Sequence, residues 1–375
     1  MGEVGVGLRA EPGGGIVRPM RFTNLQLLRL AAALGVVGFH LGVHGGGLFP
    51  AAGGVLPWVR GGWWVQFPVP LFFALSGFVL THALQTAPRG RFLFARFLRL
   101  YPGYWLAMAF GLAVVWHGVW PVDQRGAARF STTAFALVPG GPAKGYYVLG
   151  GVEWSLIYEV MLSVALTALS LLGVRRGLPL GVAAWLAVLA AKVYFQPGYA
   201  SEPFPHPRTI LLSAYSVPFL LGVLAYYLRD AGGRWRWVVL AALVGFIAVV
   251  VPRAAGDREL HWCAWGVAGA VAVWFAVQGR QVAATNRLAR LGDATYGLYL
   301  VHVPVMLAVL YRSVLRQWAM PPEAVLLLAG GAAVAAGLLF GLLESALHSR
   351  VRPLAKLRGA EVRWPALRVP AFRRN

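Results

Sequence analysis

The chain has 375 residues, of which 58% are hydrophobic and 13% are charged, and its mean hydropathy is +0.64. So apolar a composition excludes a soluble domain, and the repeated apolar stretches of about 20 residues predict a polytopic membrane helix bundle of the all-α class. The net charge of +21 lies mainly in short loops and in the C-terminal tail, where it indicates membrane topology and contact with anionic membrane lipids rather than with nucleic acid.

Ten apolar segments follow one another along the chain, and the longest loop between two of them is 120–146. If the N-terminus is inside, most Lys and Arg residues fall on the inner side together with both termini, as the positive-inside rule requires. We therefore expect ten membrane spans with both termini cytoplasmic, a disordered lead at 1–20, a transmembrane domain at 21–345 and a basic cytoplasmic tail at 346–375. The predicted spans are 25–44, 62–84, 101–119, 147–173, 177–195, 209–229, 236–251, 260–279, 292–311 and 323–343.

The first predicted span contains Arg29 and His40, in the run RLAAALGVVGFHLG. A cation at the middle of a membrane helix costs about 2.5 kcal/mol or more, so such residues usually mark a function. Eleven residues bring a helix round to nearly the same face and separate the two side chains by roughly 16 Å along the axis. This geometry suits a long ligand with an anionic head and a reactive tip. The alternative is an arginine that reaches back to the membrane surface and a hydrogen-bonded core histidine.

The second predicted span contains Ser76 and Gly77, which interrupt the apolar run LFFALSGFVL. Glycine permits the close approach of another backbone, and a serine hydroxyl bonds either to a ligand or to its own helix. Taken alone, the pattern is typical of helix packing.

Two arginines, Arg96 and Arg99, follow this span in the stretch RGRFLFARFLRLYPGYW. Their spacing places them on one face of a helix. The composition favours an interfacial basic segment that stops translocation. The functional alternative is a clamp for phosphate groups, because the guanidinium fork binds phosphate oxygens well.

Two carboxylates, Glu153 and Glu159, lie in the apolar stretch GVEWSLIYEV. Six residues correspond to about 600° of helix, so the two side chains point to different faces and do not form an acid/base dyad. Glu159 is expected either to orient a histidine, as a carboxylate does in a hydrolase triad, or to pair with a buried arginine.

The late segment LGDATYGLYLVHVPVM contains Tyr296, Tyr299 and His302 on one helix face, with Asp293 placed to cap the helix. Such a stripe lines an interior cavity or packs as an aromatic row with one hydrogen-bonded histidine. The remaining isolated candidates are expected to be structural, and no ligand spacing typical of a metal site occurs, so no metal is expected. These isolated residues are His82, His117, His206, His261 and Glu344.

Taken together, five of these segments resemble the membrane acyltransferase-3 family. The match extends from residue 21 to about residue 345, and its order and spacing make it specific although each segment alone is weak. The last segment departs from the family pattern, because Thr295 stands where the family has Ser. The matching segments are Arg29 with His40, FFALSG at 72–77, Arg96 with Arg99, Trp154 to Glu159, and TYGLYLVH at 295–302.

The resemblance implies transfer of an acyl group, usually acetyl, from acyl-coenzyme A to a hydroxyl of a carbohydrate or surface glycan in a bacterial inner membrane. A cytoplasmic small molecule such as a macrolide is the alternative acceptor, and a transporter of a lipid-linked substrate is the rival class of protein. An acyl-histidine intermediate is as compatible with the sequence as general-base catalysis. The implied roles are donor binding for Arg29, Arg96, Arg99 and Ser76, general base for His40, orientation of His40 for Glu159, and the acceptor path for Tyr296, Tyr299 and His302.

Overall fold

The computed structural model describes most of the predicted transmembrane domain, and within the described residues it contains helices and turns but no β-strand. The described residues are 22–49, 66–117, 132–140, 148–196, 206–231, 256–283 and 285–351, with short pieces between 233 and 253. The helices are α1 (Thr23–Leu48), α2 (Pro68–Thr86), α3 (Arg89–Trp116), α4 (Thr132–Phe135), α5 (Glu153–Leu169), α6 (Gly177–Phe195), α7 (Val217–Tyr227), α8 (Arg258–Gln278), α9 (Arg287–Leu291), α10 (Thr295–Leu315) and α11 (Pro322–Val351).

Eight helical stretches in the described part of the chain are long and apolar enough to cross a membrane, and they coincide with eight of the ten predicted segments. The prediction of a polytopic all-α bundle is therefore confirmed. The sixth predicted segment contains the shorter helix α7, preceded by two 3₁₀ turns. Of the seventh, 236–251, the structure describes only short helical pieces. The number of spans and the side of the termini stay predictions.

The predicted ends of the chain fall mostly outside the described residues. This holds for the lead at 1–20 and for the tail from 352 onward. Residues 346–351, which were assigned to the tail, instead continue α11 as helix.

Helix α3 begins at Arg89, twelve residues before the predicted span, so Arg96 and Arg99 lie within a helix that is continuous with the membrane segment. Pro102 lies inside α3 and lacks the N–H that would bond the carbonyl of Leu98. The Nδ1 of His348, on α11, lies 3.3 Å from this carbonyl oxygen. Because a carbonyl only accepts, His348 supplies the missing donor and joins α11 to the proline site of α3.

Glycines allow α2 and α7 to approach with their backbones in contact. A Cβ atom at Gly77 would overlap the carbonyl oxygen of Phe219, and one at Gly222 would overlap the carbonyl oxygen of Ala74. Small residues at helix crossings are common in membrane proteins for this reason. The Ser76–Gly77 pair thus serves packing on its glycine side and leaves the neighbouring serine free to face another helix.

Helix α1 lies against α2, α9, α10 and α11, and α10 and α11 form the most extensive helix pair. The core between α1, α10 and α11 is built from small and medium apolar side chains such as Ala33, Val37 and Ala329. This packing directs one face of α1 toward α10, where the sequence predicts the polar stripe.

Candidate active site

An internal cavity lies where α1, α2, α3, α5 and α10 meet. Its wall combines polar side chains with apolar ones such as Phe72, Phe73 and Leu100. His40 and His302 are outside this wall, although Tyr299, one helical turn from His302, is part of it. The polar lining includes Arg29, Ser76, Arg96, Arg99, Ser155, Glu159, Thr295, Tyr296 and Tyr299. The residues predicted for donor binding are therefore brought together.

Glu159 is held by hydrogen bonds from two other helices. Its Oε1 accepts from Ser76 Oγ at 2.8 Å and forms an ion pair with Arg96. The side chains of Arg96 and Glu159 are 11% and 19% exposed, so the pair is largely removed from solvent. This hydrogen bond and this ion pair join the Glu159 carboxylate to Ser76 and Arg96 and not to His40. The geometry thus corresponds to the second of the two expectations for Glu159, an arginine partner.

Arg99 pairs with Glu344, a residue that the sequence analysis expected to be isolated and structural. The side chains are 9% and 3% exposed, and the ion pair joins α3 to α11. Gly103, one turn along α3, makes room for it, because a Cβ there would lie 2.7 Å from Glu344 Cγ. Glu344 has no local sequence signal beyond being a carboxylate in an apolar helix, since its partner lies 245 residues away.

The aromatic residues of α10 hold the arginines and the neighbouring helix in place. The Tyr296 ring lies under the Arg99 guanidinium at 4.9 Å, and its hydroxyl donates to the carbonyl of Leu100 at 2.7 Å. The hydroxyls of Tyr299 and Ser155 are 2.5 Å apart, which joins α10 to α5. Tyr296 and Tyr299 were predicted for the acceptor path, and both are in the wall of the cavity that contains the arginines.

Arg29 lies at the start of a short polar chain that leaves the cavity. Its Nη1 is 3.4 Å from Gln26 Oε1, and Gln26 Nε2 donates to Asp293 Oδ1 at 2.8 Å. The expectation that Asp293 caps α10 is wrong, because Ala294 occupies the N-cap without a side-chain bond and the Asp293 carboxylate bonds to α1 instead.

The described part of the cavity wall carries more positive than negative charge, because it contains Arg29, Arg96 and Arg99 but only one carboxylate, that of Glu159. Two buried donors, Arg96 Nε and Arg99 Nη2, have no hydrogen-bond partner among the described residues. Buried polar groups are nearly always hydrogen-bonded, and guanidinium groups bind phosphate and carboxylate strongly. The cavity is therefore suited to an anionic ligand.

A pair of imidazoles lies farther along α1 and α10. His40 Nδ1 is 3.0 Å from His302 Nε2 and 3.1 Å from the carbonyl oxygen of Val36. The His44 ring stacks on His40 with a centroid distance of 5.9 Å. The sequence predicts His302 in the acceptor path and Glu159 either beside His40 or against a buried arginine, whereas in the structure it is His302 that lies against His40. No sequence signal links these two positions, which are 262 residues apart.

Comparison with known proteins identifies the family. A family model described as an acyltransferase domain, of the acyltransferase-3 type, matches residues 22–340, most of the chain. "Protein 2 in picA locus" from Rhizobium radiobacter is 60% identical over 47 residues, which is 11% of this chain and 25% of that protein. The chain thus spans only a quarter of this relative's length, and no solved structure matches. The extent of the family match shows that this chain belongs to the membrane acyltransferase-3 family, and its long apolar helices agree with a polytopic membrane protein.

Proposed function

We propose that this membrane protein is an acyltransferase that moves an acyl group, in the simplest case acetyl, from acyl-coenzyme A to a hydroxyl of a carbohydrate-like acceptor such as a surface glycan. The observation that carries the proposal is the placement of two side chains on α1. Arg29 lines the arginine-rich cavity, and His40 follows it on the same helix after roughly 16 Å of helical rise. A donor with an anionic head and a distant thioester has the shape that this separation requires.

Donor binding is assigned to Arg29, Arg96 and Arg99. Their guanidinium groups surround one cavity, and two of them keep buried donor atoms that no described residue occupies. Ser76 and Glu159 support this assignment indirectly, because Glu159 holds the Arg96 side chain by an ion pair and Ser76 donates a hydrogen bond to Glu159. In this scheme Glu159 positions a donor-binding arginine.

His40 is assigned as the general base. It takes the proton of the acceptor hydroxyl while the oxygen attacks the thioester carbonyl; the C–O bond forms, the C–S bond breaks, and coenzyme A leaves as its thiol after receiving a proton. Such a base typically contributes about 10²–10⁴-fold to the rate. In the two-step alternative the acyl group is first carried by His40 itself.

The proposed location is a bacterial inner membrane, where coenzyme A reaches the cavity from the cytoplasm. This setting is supported by the inner-side excess of arginines in the sequence and by the multi-pass bundle. Either a surface glycan or a cytoplasmic small molecule such as a macrolide offers the hydroxyl that the chemistry needs, so both classes of acceptor belong in the test.

The test measures transfer of label from radiolabelled acetyl-coenzyme A in membranes that contain the wild type, His40→Ala or His117→Ala. His117 is an exposed histidine at the end of α3 and serves as the matched control. We expect label in glycan or metabolite pools with the wild type and the control, and a loss of about 10²-fold or more with His40→Ala. Equal transfer by His40→Ala would remove His40 from the mechanism. Absence of both transfer and coenzyme A binding in the wild type would favour the transporter.

A further inference from the structure

The hydrogen-bond partners of His302 fix which of its ring nitrogens carries the hydrogen. His302 is completely buried, and its Nδ1 lies 2.8 Å from the carbonyl oxygen of Tyr299 and 3.1 Å from that of Leu298. Carbonyl oxygens only accept, so Nδ1 must be the donor. No carboxylate among the described residues is hydrogen-bonded to this ring, and a buried charged ring without one is costly, so His302 is neutral and its Nε2 presents a lone pair.

The same reasoning applies to His40. Its Nδ1 faces two acceptors, the carbonyl oxygen of Val36 and the Nε2 of His302. The hydrogen of neutral His40 therefore lies on Nδ1, and its Nε2 is the nitrogen with a lone pair. The opposite pair of tautomers would turn bare nitrogens toward the carbonyl oxygens of Val36, Leu298 and Tyr299, so the arrangement is determined from both rings independently.

We propose that His302 is the positioning residue for His40 and takes the part that a carboxylate plays in a hydrolase triad. It accepts the Nδ1–H of His40, holds the ring so that Nε2 is the proton acceptor, and shares the positive charge when Nε2 has taken a proton. The backbone carbonyls of α10 in turn hold His302. This inference rests on the proposed role of His40, and it replaces Glu159 in the expected orienting role.

A spectroscopic measurement tests the tautomers without any turnover. In protein labelled with ¹⁵N-histidine and reconstituted in lipid at neutral pH, magnetic resonance distinguishes a protonated from a bare ring nitrogen. The His40 signals are assigned from their absence in His40→Ala. We expect a protonated Nδ1 and a bare Nε2 in the wild type and in His302→Gln. A His40 with its hydrogen on Nε2 would overturn the proposal.

A kinetic series tests the role. His302→Leu removes the acceptor, whereas His302→Gln restores an acceptor oxygen near the position of Nε2; His261→Leu, at another buried histidine on α8, controls for the loss of a buried imidazole. We expect His302→Leu to lower kcat by about 10²-fold with the donor KM within about threefold of wild type, and His302→Gln to recover most of the loss.

Two results would overturn the positioning role. One is a wild-type kcat in His302→Leu, and the other is an equal loss in the Leu and Gln variants. These failures are distinct from failure of the proposed function, in which the wild type transfers no label or His40→Ala remains active.

Discussion

Replacing Glu344 by Gln should destabilise the protein, because it leaves the buried charge of Arg99 without its partner. Both side chains are less than one-tenth exposed, and the ion pair joins α3 to α11. Two opposite charges about 4 Å apart attract by about 4 kcal/mol at an effective dielectric constant of about 20. Removing one partner of a buried pair costs about 3–5 kcal/mol. Since Gln keeps the shape and one acceptor oxygen, we expect a loss of about 3 kcal/mol, at the lower end of this range.

The assay is reversible unfolding of purified protein in mixed micelles, with Glu323→Gln as the control. Glu323 lies on the same helix and is exposed, so its variant should stay within about 0.5 kcal/mol of wild type. An anion in the arginine-lined cavity would compensate part of the lost charge, so coenzyme A should raise the unfolding temperature of Glu344→Gln more than that of the wild type. If the free energies of unfolding of the two variants agree, the ion pair contributes nothing and the reasoning fails.

Two further substitutions test the packing around the cavity. Gly77→Ala places a Cβ against the Phe219 carbonyl and should lower the free energy of unfolding by about 1–3 kcal/mol. The control is Gly38→Ala, whose Cβ meets nothing within 4 Å and which should be neutral or stabilising. Equal stability of the two variants would contradict close contact of α2 and α7. Tyr299→Phe removes the hydrogen bond to Ser155 and should lower the free energy of unfolding by about 0.5–1.5 kcal/mol in the same assay. The control is Tyr194→Phe, at an exposed tyrosine. Equal stability of these two variants would show that the Tyr299–Ser155 hydrogen bond is not formed.

The helices were largely predictable from the sequence, because an apolar run of about 20 residues has few alternatives in a membrane. The start of α3 could not be predicted in this way. Hydropathy counts Arg96 and Arg99 as costs and so makes the predicted span begin only at residue 101, but in the folded chain Glu159 and Glu344 compensate both charges. The two carboxylates come from α5 and α11, and no local pattern announces them.

The candidate site was predictable as a set of residues but not as a set of pairs. Helical spacing shows that Tyr296, Tyr299 and His302 share a face of their own helix. It does not show which other helix that face meets. The sequence therefore predicts His302 in the acceptor path. Only the structure shows that α1 packs on α10 and brings His302 Nε2 within 3.0 Å of His40 Nδ1.

The position of Glu159 leads to a prediction that separates an effect through contact from an effect through the electric field. Glu159 lines the same cavity as Arg29, which is separated from His40 by roughly 16 Å of helical rise along α1. At an effective dielectric constant of about 20, one charge at that distance changes the energy of a protonated imidazole by about 1 kcal/mol, or about fivefold in rate.

Glu159→Gln should consequently leave kcat within about fivefold of wild type, and its main effect should be a higher KM for acyl-coenzyme A, because Arg96 loses its partner. A carboxylate that oriented His40 directly would behave differently, since removing the orienting charge in a hydrolase triad lowers kcat by about 10⁴. A fall of that size in kcat with an unchanged donor KM would show that Glu159 orients His40 directly and would contradict this prediction. A rise in KM with a nearly constant kcat would leave the orientation of His40 to His302.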